Sequence, residues 1–275
     1  MRLRPTRSTL LAAAVAITVS ACATTTSPTG RTQVVGGVSQ QQLDQMGDQA
    51  FAQMKAEKAQ TTDARQRAYA TCVVNAIVRE LPADWQQRYR WDSAVFVDNT
   101  PNAFALPGGN VGLYTGIFGV ARNQDQLAGV VSHEIGHVIA NHHNERITRQ
   151  MGTQGALQVA GAILGARYGQ GIGDAAMQGG SVLAQTGFLL PGSRTQESEA
   201  DVVGQQLMAR AGFDPRAMVG LWENMIQASG GNRSPGWLST HPEPQARLSE
   251  MSQRAASLMP EYERARAAGK RPNCG

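Results

Sequence analysis

The segment His133-Glu134-Ile135-Gly136-His137 constrains this chain more than any other stretch of its 275 residues. On an α-helix, two histidines four apart project from one face, one turn above the other. Two neutral imidazoles so placed can each reach a single Zn²⁺ at about 2.0–2.1 Å. Glu134 directly follows the first histidine, where its carboxylate can take a proton from a water on that metal. The flanks read as helix. Asn123 is an N-cap with Gln126 three residues on, and Leu127, Val130, Val131, Ile135 and Val138 supply the apolar positions that seat it in a core. The competing reading, two core histidines beside a surface glutamate, needs this pattern to arise by chance in a chain with only five histidines.

A catalytic zinc normally has three protein ligands and one open position. His143 lies six residues past His137, where some zinc enzymes carry their third histidine after a helix-breaking glycine. Here the glycine position is Ala140, a strong helix former. On a continuing helix His143 would sit about 15 Å along the axis from His133 and off its face. His142 and His143 therefore read as solvated residues that complement the dipole at a helix end. Glu197 is the better third ligand. It and Asp201 are four apart and share a helical face, with Glu199 pointing roughly opposite. Glu197 would reach the zinc, and Asp201 would accept the free N–H of a liganding histidine and fix its tautomer. Ser193 or Thr195 reads as the N-cap of this helix and Gly212 as its end.

His133-Glu-Ile-Gly-His137 with Glu197-x-Glu-Ala-Asp201 resembles the zinc metallopeptidase family that includes HtpX, the CAAX prenyl proteases, the mitochondrial Oma-type proteases and the periplasmic BepA- and LoiP-like members. Asn102-Ala-Phe-Ala105 with Pro107-Gly-Gly109, and Ser239-Thr-His241-Pro242 followed by Arg247-Leu248, match as well. The resemblance covers about residues 40 to 255. It implies zinc on His133, His137 and Glu197, with Glu134 as general base and acid. It also implies cleft positions for His241 and Arg247, where they steady the tetrahedral intermediate, or where the histidine gates the metal. The implied fold is α+β and mainly helical, a zincin-like (gluzincin) domain with a small sheet beside the active-site helix.

The first residues set an expected compartment. Arg2, Arg4 and Arg7 precede an apolar run from Leu10 to Val19 that ends in Val19-Ser-Ala-Cys22. Residues 1–21 read as a lipoprotein signal peptide and Cys22 as the lipidated first residue. The run is too short to span a bilayer. Ala23 after the cysteine suggests, by resemblance to bacterial lipoproteins, the periplasmic face of the outer membrane. Residues 22–38 read as a flexible, polar tether and 39–275 as one domain. Of 25 basic and 21 acidic residues, three arginines belong to the leader. The remaining balance is near neutral, and no nucleic-acid partner is expected. Expected partners are protein or peptide substrates of the envelope, the membrane through Cys22, and outer-membrane assembly machinery. Cys72 and Cys274 are expected to pair, because the periplasm is oxidising.

Helical spacing of apolar residues covers Gln41–Ala59 and Asp63–Leu81. Trp91–Val97, Asn102–Leu106 and Asn110–Tyr114 read as strands, the last two divided by Pro107-Gly-Gly. An extended substrate could add to this sheet along Asn102, Ala103, Phe104 and Ala105. The Gly/Ala-rich stretch over 152–191 reads as a lid between the two metal motifs. Two functions compete: a zinc endopeptidase, and an outer-membrane assembly factor or chaperone with a largely latent zinc site. A third reading, a purely structural zinc, requires a fourth protein ligand and no open position.

Overall fold

The structure is a computed structural model that describes residues 23–153, 193–228, 241 and 244–275. The expected signal peptide, Cys22, Pro242 and all but the first two residues of the expected lid lie outside the described residues. The elements in order are β1 (Ala23–Thr26), β2 (Thr32–Val35), α1 (Gln40–Glu57), α2 (Ala64–Val78), α3 (Ala83–Arg88), β3 (Asp92–Phe96), β4 (Ala103–Leu106), β5 (Asn110–Tyr114), a 3-10 turn (Thr115–Gly119), α4 (Gln124–Ile139), α5 (Arg194–Ala211), α6 (Ala217–Ala228) and α7 (Pro244–Ala267). Residues 142–153 are also helical. The fold is α+β and mainly helical, as the sequence implies.

Local chemistry sets the helix boundaries. The Asp63 side chain accepts from the backbone N–H groups of Arg65 and Gln66 and starts α2. Asn123 accepts from Gln126 N–H and starts α4. Ser193 and Gln196 form a reciprocal capping box at the start of α5, and Gly212, at φ 82°, ends it. Each cap satisfies backbone donors or acceptors that the helix itself leaves over.

Residues 23–38 are not the flexible tether expected of them. β1 and β2 form an antiparallel hairpin with Ala23 opposite Val35 and Thr26 opposite Thr32. The turn between them is Ser27-Pro28-Thr29-Gly30, closed by Gly30 N–H donating to Ser27 O at 2.9 Å. Threonine and valine are β-branched and favour strand. Proline and glycine at the second and fourth turn positions favour a tight reversal. Two compact units can be distinguished. The first contains β1, residues 31–39 with β2, and helical residues from Asn144, while residues 27–30 belong to the second. Arg31 there holds Glu145 through two hydrogen bonds of 2.8 and 2.9 Å. Asn144 Oδ1 accepts from Gly36 N–H, and Thr148 Oγ1 from Gly37 N–H.

The second unit holds the main core. A three-stranded sheet has the order β3-β5-β4, with β3 parallel and β4 antiparallel to β5. β4 is thus an edge strand. Its Ala103 and Ala105 join the same core as Leu127, Val130, Val131 and Ile135 of α4. Phe104 and Leu106 face the other way, into a smaller cluster with Phe51 and Phe96. Gly108 and Gly109, both at positive φ, make the reversal between β4 and β5.

A disulfide joins Cys72 of α2 to Cys274. The same tail meets the start of α4: Gln124 Nε2 donates to Pro272 O at 3.0 Å, and Cys274 N–H donates to Gln124 Oε1 at 2.9 Å.

Candidate metal centre

α4 and α5 pack closely because glycines stand where they cross. A Cβ on Gly136 would lie 2.9 Å from the Ala200 carbonyl oxygen, and one on Gly204 would lie 3.0 Å from His133 N. Removing both side chains lets the backbones approach and brings Glu197 of α5 over the two histidines of α4. His133 Nε2 and His137 Nε2 are 3.2 Å apart. Glu197 Oε2 lies 3.4 Å from His133 Nε2, and Oε1 lies 3.5 Å from His137 Nε2. His241 Nδ1 joins them, 3.2 Å from His133 Nε2 and 2.7 Å from Glu197 Oε2. All four residues are buried and could hold one metal ion.

The donor set fits zinc. Nitrogen and oxygen ligands at 2.0–2.1 Å in a tetrahedron stand about 3.3–3.4 Å apart, the spacing these atoms already have. Glu197 Oε1 is buried and has no hydrogen-bond partner among the described residues. Such an atom is costly unless something positive compensates it. Both imidazoles also have their Nδ1 atoms engaged elsewhere, His133 with Asp201 at 2.9 Å and His137 with His142 at 2.8 Å. With the proton on Nδ1, each Nε2 keeps its lone pair for a metal.

Charge around the centre is strongly arranged. Burial works against the anionic form of Glu197, but the neighbouring His241 and His137 hold its carboxyl well below the ordinary value. Burial likewise opposes ionised Asp201, and the Arg247 guanidinium outweighs it and lowers the pKa. Burial opposes cationic His133, yet its bonds to Asp201 and Glu197 raise its pKa. His241 is pushed up to about 9: burial lowers it, and the charges of Glu197 and Glu134 more than offset that. His241 Nε2 lies 3.3 Å from Glu134 Oε1, so the ring bridges the two glutamates. Arg247 donates to Asp201 twice and to Glu197 Oε2 at 3.2 Å. Its guanidinium stacks 4.3 Å over the ring of Trp222.

The structure therefore brings together His133, Glu134, His137, Glu197, Asp201, His241 and Arg247. Ala103–Ala105 lie on β4 and Asn102 just before it, with Asn102 O accepting from Tyr114 N–H.

Two expectations fail at the end of α4. The helix does not continue through Ala140: it ends at Ile139, and Asn141 turns the chain at φ 56°. Asparagine adopts this left-handed conformation more readily than most residues. Nor are His142 and His143 solvated, being 0% and 7% exposed. The bend folds His142 back onto His137 rather than carrying it into water. Glu199 is also buried, and its Oε2 lies 3.1 Å from His142 Nε2. The sequence reading put His142 at a solvated helix end and Glu199 on the face away from Glu197, and it did not single out Trp222. The asparagine between the two histidine motifs was the available sign of the bend.

The pattern described as Peptidase family M48 matches residues 63–255. The mitochondrial metalloendopeptidase OMA1 of Schizosaccharomyces pombe is 35% identical over 182 residues, 66% of this chain and 51% of that protein. The beta-barrel assembly-enhancing protease of Escherichia coli K12 is 37% identical over 165 residues, 58% of this chain and 33% of its own length. The Yersinia pestis protein of the same name is 33% identical over 224 residues, 78% of this chain and 44% of its own. This chain thus spans from a third to about half the length of these relatives.

Proposed function

Because this chain belongs to peptidase family M48, we propose that it is a zinc-dependent endopeptidase that acts on envelope proteins in the periplasm. The observation that carries this reading is the convergence of His133, His137 and Glu197 on one point, with Glu134 beside it. These three residues would hold the zinc. When bound, zinc supplies a Lewis acid that lowers the pKa of water to about 7. Glu134 takes the proton of the attacking water as it adds to the peptide carbonyl, and then returns it to the leaving amine. Asp201 holds the His133 ring in one tautomer, and Arg247 holds Asp201. β4, an edge strand among the described residues, would receive an extended substrate, so backbone hydrogen bonds would fix the scissile bond in register.

The compartment rests on the lipoprotein-like leader ending at Cys22 and on the names of the bacterial relatives. We assign the anchored protein to the periplasmic face of the outer membrane. Among the described residues no helix is long and apolar enough to cross a membrane.

A second reading is favoured by one contact. His241 stands where it can complete a four-ligand set, and a zinc so closed has no open position. The resting enzyme would then be latent, and assembly of outer-membrane proteins could proceed without cleavage. One experiment separates the readings. Purified protein should carry one zinc and cleave an unfolded substrate, losing activity with a chelator and regaining it with zinc. Glu134→Gln should keep the zinc and lose the cleavage, while an assembly role would survive the substitution. A parent protein that binds no zinc would overturn both readings.

A further inference from the structure

The two metal-binding histidines of α4 are supported differently. His133 Nδ1 meets a carboxylate directly, Asp201 Oδ1 at 2.9 Å. His137 Nδ1 instead meets a second imidazole, His142 Nδ1 at 2.8 Å. His142 Nε2 continues to Glu199 Oε2 at 3.1 Å, and Thr29 Oγ1 donates to Glu199 Oε1 at 2.5 Å. We propose that His142, Glu199 and Thr29 are positioning residues that orient His137 for the metal. The proposal rests on the zinc-peptidase reading and extends it to residues that this reading does not use.

Proton accounting gives the chain one direction. If His137 offers the Nε2 lone pair to a metal, Nδ1 carries its proton and donates to His142 Nδ1. His142 must then carry its own proton on Nε2 and donate it to Glu199. Glu199, ionised, accepts from His142 on one oxygen and from the Thr29 hydroxyl on the other. Each of these links then carries one proton, and reversing any single link would leave two protons or none between neighbours. His142 therefore passes the pull of a buried carboxylate to His137, as Asp201 does for His133 without an intermediary. A carboxylate at the far end of a ligand's N–H fixes ring orientation and makes the ligand more basic.

The placement is built from several elements. Asn141 makes the bend that returns His142 to His137, and the two rings stand 4.9 Å apart, centroid to centroid. Glu199 comes from α5, the helix that also supplies Glu197 and Asp201. It leaves that helix about 200° around the axis from Glu197, on a side that is also buried. Thr29 comes from the turn Ser27–Gly30, ahead of the 63–255 segment that matches the family pattern. The metal ligand His137 is thus steadied by a residue outside that segment.

The test measures zinc affinity of the full chain by competition with a chromophoric chelator, and repeats it with Co²⁺ to read the visible absorption of the ligand field. Glu199→Gln keeps the shape and removes the charge, and His142→Ala cuts the chain. Each should weaken zinc binding by about 10–100-fold, the range typical of such outer partners, and shift the cobalt spectrum. Thr29→Val should do the same to a smaller degree. Melting of the metal-free Glu199→Gln protein should match the parent. If His142→Ala fails to fold, Glu199→Gln and Thr29→Val carry the answer. Zinc affinity and cobalt spectra matching the parent in both variants would overturn the proposal. So would an affinity loss mirrored by an equal loss of metal-free stability, which would mark a packing role. A parent that takes up no zinc would instead overturn the underlying reading.

Discussion

Arg247 grips Asp201 with one edge of its guanidinium, Nε to Oδ2 at 2.7 Å and Nη2 to Oδ1 at 2.8 Å, while the same Oδ1 meets His133 Nδ1. The arginine thereby fixes a carboxylate that fixes one of the two histidines that could hold a metal ion. Arg247→Ala removes the cation from two buried carboxylates, Asp201 and Glu197. Breaking a buried pair in this way costs about 3–5 kcal/mol. Denaturant unfolding should show a loss of that size, accompanied by weaker zinc binding. Arg247→Lys keeps the charge and loses the two-pronged geometry, so it should recover only part of both.

Gly136 lies at the crossing of α4 and α5, where an added methyl meets the Ala200 carbonyl oxygen at 2.9 Å. In Gly136→Ala, overpacking of about 1–3 kcal/mol opposes a helix-propensity gain of about 1 kcal/mol. Strain wins narrowly, and metal-free stability should fall by about 1 kcal/mol. Zinc affinity should fall more, because the helices that carry the ligands are pushed apart. Equal zinc binding in the two proteins, measured by chelator competition, would contradict the close-packing argument.

His241 touches Glu134, Glu197 and His133 at once. In that position it competes with a water for the fourth place around a metal. His241→Ala should therefore raise basal cleavage of an unfolded peptide several-fold while zinc stays bound. A fall in turnover with zinc retained would instead assign the ring to transition-state stabilisation.

Two tyrosines should titrate late. Burial and the nearby charge of Asp125 push Tyr69 up to about 12 from 10.0. Tyr89 is also raised, first by burial and then by its hydrogen bond to Asp44. For Tyr69 the folded value exceeds the unfolded one, so its contribution is whole below pH 10 and drains away as pH rises toward 12. Absorbance at the phenolate band should show Tyr69 and Tyr89 still protonated at pH 10.0, their ionisation coming with the onset of alkaline unfolding. Half-ionisation of both at pH 10.0 would count against these environments.

The disulfide closes a loop between residues 202 positions apart. In the loop-entropy picture such a link contributes about 5 kcal/mol. Cys274→Ser should lower stability by a sizeable part of that. It should also loosen the start of α4, because Gln124 bonds to Pro272 and Cys274. Hydrogen exchange at Gln126 and Leu127 should quicken.

Much of the centre was legible because its logic is local. His133 and His137 share a face through helical periodicity alone, and the same argument pairs Glu197 with Asp201. The caps at Asn123 and Ser193 and the glycine at 212 follow from backbone chemistry within one turn. What escaped was set by tertiary partners. His142 reads as an exposed helix end until Asn141 bends the chain beneath it. Glu199 reads only as pointing away from Glu197 and Asp201, and its burial is set by what covers that side of α5. The 23–38 segment looked like a tether by composition, although its threonines and valines flank a Pro-Thr-Gly reversal that makes a hairpin.

The bond between Cys72 and Cys274 has one further effect on the life of this molecule. Any peptide bond hydrolysed between those positions leaves both pieces tied together. Single nicks of this kind would cost the molecule no mass. They would surface as separate bands only after a reductant is added.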